Sequence, residues 1–239
     1  MIESIIANHD NFIFDLYGTL IDIHTDEWAK STWTNFIAYL KMKGIKVPWW
    51  RRFRKDFFAL DRAYRAKETP FQYPEIDIIP VYAELFEKYG NGQLANELLN
   101  EISYKFREIS REYMKLFPGL LEFLDELKAQ GKKIYILSNA QASYTWPEIQ
   151  FFKLDEIMDD ILMSSDYGCM KPDRVFFEEL LNRYNMDRTK TIMFGDSYEN
   201  DYQGAINAGI DGLWLNEKNG TDSKHVYLKQ ENCFELYTK

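Results

Sequence analysis

Cysteine is scarce in this chain: its 239 residues include two, Cys169 and Cys233. They show neither metal-ligand nor Cys-x-x-Cys spacing, which argues against a disulfide framework and for a reducing cytoplasm. Basic residues are in deficit as well, with 29 Lys and Arg against 38 Asp and Glu and a net charge of −9. Phosphate backbones select basic faces, so nucleic acid is not expected as a partner. No apolar run approaches the roughly 20 residues that span a bilayer. The opening MIESIIANHD carries an acid at Glu3 and no basic run, unlike a secretory signal. His9, His24 and His225 are too scattered to form a metal site. Internal repeats and low-complexity tracts are missing too. Together these absences predict a soluble cytoplasmic protein with no membrane partner, and nothing in them fixes an oligomeric state.

Three short apolar runs stand out in what remains. FIF (12–14) ends at Asp15, KIYIL (133–137) ends at Ser138-Asn139, and TIMF (191–194) ends at Gly195-Asp196. Continuous apolar runs of this kind mark strands buried on both faces of a parallel sheet. Helical patterns separate the later runs. GLLEFLDELKAQG (119–131) places Leu120, Leu121, Leu124 and Leu127 on one face, and DRVFFEELLNRYN (173–185) does the same with Val175, Phe176, Leu180 and Tyr184. The alternation predicts an α/β fold with a doubly wound parallel sheet. Residues 23–115 read instead as successive helices with no strand, including a long one running through QLANELLNEISYKFREISREYMKLF. The economical division is a core of residues 1–22 and 116–239 carrying an inserted all-α domain, 23–115. The tail is expected to close a sheet edge, with a turn at Asn219-Gly220.

Ligands of such sheets sit beyond the carboxyl ends of the strands. The groups expected to gather there are Asp15 and Thr19, Ser138 and Asn139, Lys171, and Asp196, Asn200 and Asp201. Carboxylates converging on one point repel unless a cation lies between them, and hard oxygen ligands suit Mg²⁺. The hydroxyls, the amide and Lys171 are donors of the kind a phosphoryl group requires, and a free aspartate is a competent nucleophile. The expected substrate is a small anionic, phosphorylated molecule.

The segments DLYGTL, ILSNA, KPD and GDSYEND occur in the order of the four motifs of the haloacid dehalogenase-like hydrolases, which this chain resembles from Phe12 to about Leu215. The insert resembles the helical cap of that superfamily's first subclass, on a Rossmann-like core. The resemblance implies Asp15 as nucleophile, Thr19, Ser138 and Asn139 around the transferring group, and Lys171 neutralising charge. It also implies Mg²⁺ held by Asp15, Asp196, Asp201 and the backbone carbonyl of Tyr17.

Tyr17 departs from the phosphatase pattern, in which a second aspartate serves as general acid and then base. A phenol with an ordinary pKa near 10 copies that role poorly. Tyrosine in this motif also resembles the metal-independent 2-haloacid dehalogenases, whose halide leaves without a proton. Their fourth motif carries no counterpart of Asp196, a carboxylate that is costly without a cation, and this favours the phosphatase reading. A phosphate-binding module with little turnover is the third alternative. Tyr17 itself faces either the substrate or the insert. Within the insert, residues 46–67 carry eight basic residues against Asp56 and Asp61. Most such faces are simply solvated; alternatively Arg51, Arg52 or Arg54 reaches an anionic substrate beside Trp49, Trp50 or Phe53.

Overall fold

The computed structural model describes residues 2–216 and 226–227; the expected Asn219-Gly220 turn, His225 and Cys233 lie outside them. The chain opens with α1 (Ile2–Asn8), β1 (Asn11–Phe14) and β2 (Ile21–Thr25). Helices α2 (Lys30–Met42), α3 (Trp50–Arg65), α4 (Ile79–Lys88) and α5 (Asn96–Ser110) follow, and then β3 (Arg111–Leu116). Next come α6 (Leu120–Ala129), β4 (Lys133–Ser138), α7 (Ala142–Phe151), β5 (Asp160–Met163), α8 (Ser164–Tyr167) and α9 (Arg174–Arg183). The described chain continues through β6 (Thr191–Gly195), a π-helical turn (Tyr198–Gln203), α10 (Gly204–Ala208) and β7 (Asp211–Trp214).

Among the described residues, five strands form a parallel sheet in the order β5-β4-β1-β6-β7. This is the doubly wound α/β core expected from the apolar runs. Alternate residues of each run feed two different cores. Phe12, Phe14, Ile134, Ile136, Ile192 and Phe194 pack on one face with α1 and α6. Ile13, Tyr135, Leu137 and Met193 pack on the other with α9 and α10. Burial on both faces is the physical reason that these strands lack polar alternation. β1 lies at the centre, with Phe14 level with Ile136 of β4 and Phe194 of β6. The chain leaves β1 toward opposite sheet edges on either side, and the crevice of an open α/β sheet lies at such a reversal.

Two helical faces differ from expectation. In α6 the buried residues are Leu120, Phe123, Leu124 and Leu127, while Leu121 is exposed. In α9 they are Phe176, Phe177, Leu180 and Leu181, while Val175 and Tyr184 are exposed. The apolar stripe is rotated by one position because Phe123, Phe177 and Leu181 fill the 3.6-residue face better than the residues chosen from sequence.

Helices α2 to α5 have an aromatic core of their own. Trp33, Phe36, Phe53, Tyr82, Phe86 and Phe106 are buried there and belong to neither face of the sheet. Not all of residues 23–115 is helical, however. The long helix expected to run through to Phe117 stops at Ser110, and Arg111–Leu116 pairs antiparallel with Ile21–Thr25. Within REYMKL only Tyr113 to Leu116 alternate in exposure at period two, and a run of good helix formers conceals the strand. The insert thus leaves and rejoins the sheet through a two-stranded ribbon. Among the described residues no helix is long and apolar enough to cross a membrane.

Phe36 is fully buried against Phe106, with ring centroids 5.0 Å apart. Phe36→Ala is expected to cost about 3–5 kcal/mol by transfer and cavity terms, measured as a lowered midpoint in urea unfolding. A cost under about 1 kcal/mol would mean that the insert repacks around the void.

Candidate functional site

Asp15 follows the last residue of β1 and hangs its backbone on β6, with its N–H donating to Phe194 O at 2.9 Å. Ser138 ends β4 and is buried; Asn139 follows it. Asp196 follows β6, and Asp201 lies in the π-helical turn, where its Oδ2 accepts from Ser197 N at 2.9 Å. Lys171 joins these groups. Its fully buried ammonium donates to Asp15 Oδ1 at 2.7 Å and to Asp201 Oδ1 at 2.6 Å. Asn139 fixes that lysine through its backbone, accepting from Lys171 N at 2.8 Å and donating to Lys171 O at 2.9 Å. Its amide is therefore engaged in aligning Lys171.

Carboxylate oxygens of Asp15, Asp196 and Asp201 lie within 4.8 Å of one another. With all three ionised, one ammonium leaves two negative charges uncompensated. Burial pushes the Asp15 carboxyl up to about 7, against the pull of Lys171 and with Asp201 and Asp196 adding to the rise. Asp196 is raised too, by burial and then by Asp201. Two glycines admit this crowding. A Cβ on Gly18, at φ +82°, would lie against the Asp196 carboxylate, and one on Gly195 would overlap Asp201. Thr19 is fully buried, and its Oγ1 is the one buried side-chain polar atom among the described residues with no partner. Its carbonyl accepts from Tyr227 Oη at 2.9 Å. A divalent cation and an oxyanion would supply what this set lacks: positive charge for the carboxylates and an acceptor for Thr19.

Tyr17 turns the other way. Its hydroxyl donates to Glu148 Oε2 at 2.5 Å and lies 3.1 Å from Thr145 Oγ1, both on α7. Glu148 is fully buried, and its other oxygen accepts from Arg107 Nε of α5 and from Arg111 Nη1 of β3, each at 3.1 Å. The Arg107 guanidinium lies between the rings of Tyr17 and Tyr144, 4.9 and 5.1 Å from their centroids. Burial and the adjacent Glu148 raise the Tyr17 phenol well above its ordinary value, although Arg107 opposes them. Of the two orientations left open by sequence, the side chain takes the one that meets the insert.

Sequence reasoning missed Arg107, Arg111, Thr145 and Glu148. A signal existed: Arg107 continues the series Leu99, Ile102, Ser103 and Phe106 on the buried face of α5, and Glu148 sits between Thr145 and Ile149 on that of α7. The arginines singled out in the basic stretch lie elsewhere. Arg51 stacks on Trp49 and Trp50, Arg52 pairs with Asp56 at 2.8 Å, and Arg54 lies over Trp28, Trp33 and Phe58. Phe53 is buried within the insert. Between the insert and the loop after β4 is a cavity of about 200 Å³, whose walls include Trp33, Phe57, Tyr82, Phe106, Gln141 and Tyr144. Cys169 is buried in the core, and burial pushes its thiol up to about 11, away from nucleophilic use.

The model of the haloacid dehalogenase-like hydrolase family matches residues 72–215. The chain belongs to that family. Among curated relatives, the pyrimidine 5'-nucleotidase YjjG of Escherichia coli is 31% identical over 67% of this chain and 79% of its own length. A glyceraldehyde 3-phosphate phosphatase of Methanothermobacter thermautotrophicus is 26% identical over 49% of this chain, which spans 57% of that relative's length. A second glyceraldehyde 3-phosphate phosphatase, from Pyrococcus abyssi, is spanned over 43% of its length. Among solved structures, a 2-haloacid dehalogenase of Pseudomonas syringae superposes with a TM-score of 0.61 at 18% identity, over 93% of this chain and 99% of its own, a likeness of fold.

Removing Glu148 leaves two arginines without their buried carboxylate. Glu148→Ala is expected to destabilise the protein by about 3–5 kcal/mol, measured by chemical denaturation. Tyr17→Phe, which removes one hydrogen bond, is expected to cost about 1–3 kcal/mol. The reverse ranking would show that Glu148 is not the centre of the cluster.

Proposed function

We propose that this protein is a Mg²⁺-dependent hydrolase of small phosphomonoesters that works through an aspartyl-phosphate on Asp15. The observation that carries this reading is the convergence of three carboxylates, buried Asp15 and Asp201 paired with Lys171 and exposed Asp196 beside them, with Thr19 Oγ1 still lacking an acceptor. Asp15, Asp196, Asp201 and the Tyr17 carbonyl would hold the ion, which supplies Lewis-acid charge for the phosphoryl oxygens. Asp15 attacks phosphorus through the carboxylate oxygen not engaged by Lys171. Lys171 stays between Asp15 and Asp201 and stabilises the charge that builds on the transferring group. Thr19 and Ser138 donate to the phosphoryl oxygens, while Asn139 aligns Lys171. The phosphatase and nucleotidase relatives act in favour of this chemistry. The metal-independent dehalogenase alternative draws on Tyr17. It is disfavoured because Asp196 adds a third carboxylate where a haloacid's own carboxylate would have to bind.

The test is phosphate release from a panel of small phosphomonoesters, with Mg²⁺ and with chelator, alongside halide release from 2-haloacids. Release should require both Mg²⁺ and Asp15, falling to background in Asp15→Asn and by about 10²–10³-fold in Lys171→Ala. Chelator-insensitive halide release would replace the phosphatase reading with the dehalogenase one. Ligand binding with no turnover would leave the binding module.

The raised Asp15 carboxyl gives the metal a pH signature. An acid raised from 3.8 to about 7 favours the protonated fold, so the metal-free protein loses this contribution as pH climbs through that window. The ion would bind the ionised form. The Tm gain from Mg²⁺ should therefore be larger at pH 8 than at pH 6 and should vanish in Asp196→Asn. A gain that is equal at both values would place the cation away from Asp15.

A further inference from the structure

Resting on the hydrolase reading above, we propose that the substrates are phosphates whose leaving group departs without a proton: acyl, enol or aryl phosphates rather than alkyl phosphate esters. The orientation of Tyr17 carries this. Two residues beyond the nucleophile, its hydroxyl is turned into α7, donating to Glu148 and lying beside Thr145 under the Arg107 guanidinium. It is held there by a carboxylate that two arginines keep in place. The charged groups acting on Asp15 are Lys171, Asp201 and Asp196, all three drawn into the ion cluster. The two further carboxylates that line the cavity between the insert and the loop after β4, Glu27 and Asp61, are each paired with an arginine, Glu27 with Arg107 at 3.6 Å and Asp61 with Arg65 at 3.1 Å.

The chemistry follows from that placement. As an Asp15 Oδ bonds to phosphorus, the P–O bond to the leaving group breaks and the leaving oxygen takes both electrons. An alkoxide is too basic to leave so without a proton, and a positioned acid usually contributes about 10²–10⁴-fold by giving one. A carboxylate, an enolate or an acidic phenolate needs none. In the second step water attacks phosphorus, the P–O bond to Asp15 breaks, Asp15 recovers its carboxylate, and the water's proton passes to bulk solvent.

Ring-substituted phenyl phosphates test this, because they share one shape and differ in leaving-group acidity. With the intact protein and Mg²⁺, kcat/KM is expected to fall about 10²-fold from 4-nitrophenyl phosphate to phenyl phosphate, the scale of a missing acid. Tyr17→Asp is expected to flatten that dependence. Tyr17→Phe should preserve the ratio between the two substrates whatever it does to each rate. A flat dependence in the unaltered protein, or a ratio that steepens in Tyr17→Phe, overturns the proposal, since either reveals a working proton donor. Absence of Asp15-dependent turnover on every member, the 4-nitro compound included, overturns the hydrolase reading and this inference with it.

Discussion

The ammonium of Lys171, buried between Asp15 and Asp201, is the interaction on which the strand-end geometry depends. Three carboxylates within 4.8 Å of one another would drive the ends of β1 and β6 apart if no cation stood among them. A charge buried this deeply is tolerable only when paired and hydrogen-bonded. Lys171 meets that condition with contacts of 2.7 and 2.6 Å, and its backbone is clamped by Asn139 from the end of β4. One residue thus joins the loops after β1 and β6 through its side chain and the loop after β4 through its backbone, each delivered to the same level by the parallel register.

A second ion cluster, centred on Glu148, stands behind the same loop. It gathers Tyr17 from the loop after β1, Arg107 from α5 and Arg111 from β3. Asp15 and Tyr17 are two residues apart, yet they belong to different clusters. Gly18, at φ +82°, makes the turn that follows, pressed against Asp196 where any Cβ would collide. The loop after β1 is therefore fixed on one side by core charges and on the other by charges that the insert contributes. Other tethers run the same way: Asp173 accepts from Gln72 and Tyr73, and Gln141 bonds both Ile76 and Ile78.

Much of this was legible in the sequence for physical reasons. FIF, KIYIL and TIMF read as doubly buried strands because both faces of the sheet are covered, and the polar residues after them converge because parallel strands end at one edge. The ribbon β2–β3 was not legible, since REYMKL has helix-forming composition and owes its extended form to pairing with Ile21–Thr25. The Glu148 cluster was hidden for a different reason. A charged residue in a helix reads as solvent-facing, and only the buried register of α5 and α7 shows that Arg107 and Glu148 face inward. The basic stretch of α3 is dense in charge, but its arginines lie over tryptophan rings or pair with Asp56.

Position 17 then appears as a choice between two uses of one side chain. An aspartate there is too short to reach Glu148 and, once ionised, could not donate to it, so the Arg107–Glu148–Arg111 cluster and an acidic proton carrier make opposite demands on this position. Tyrosine resolves that conflict as a neutral donor: it satisfies Glu148, offers its ring to Arg107 and keeps the backbone carbonyl of the loop unaltered. The anchoring of the insert and, on the proposed mechanism, the lack of a proton donor at this position are consequences of a single residue. Restoring the acid would therefore also loosen the insert, and the two effects should be inseparable at this position unless Glu148 changes with it.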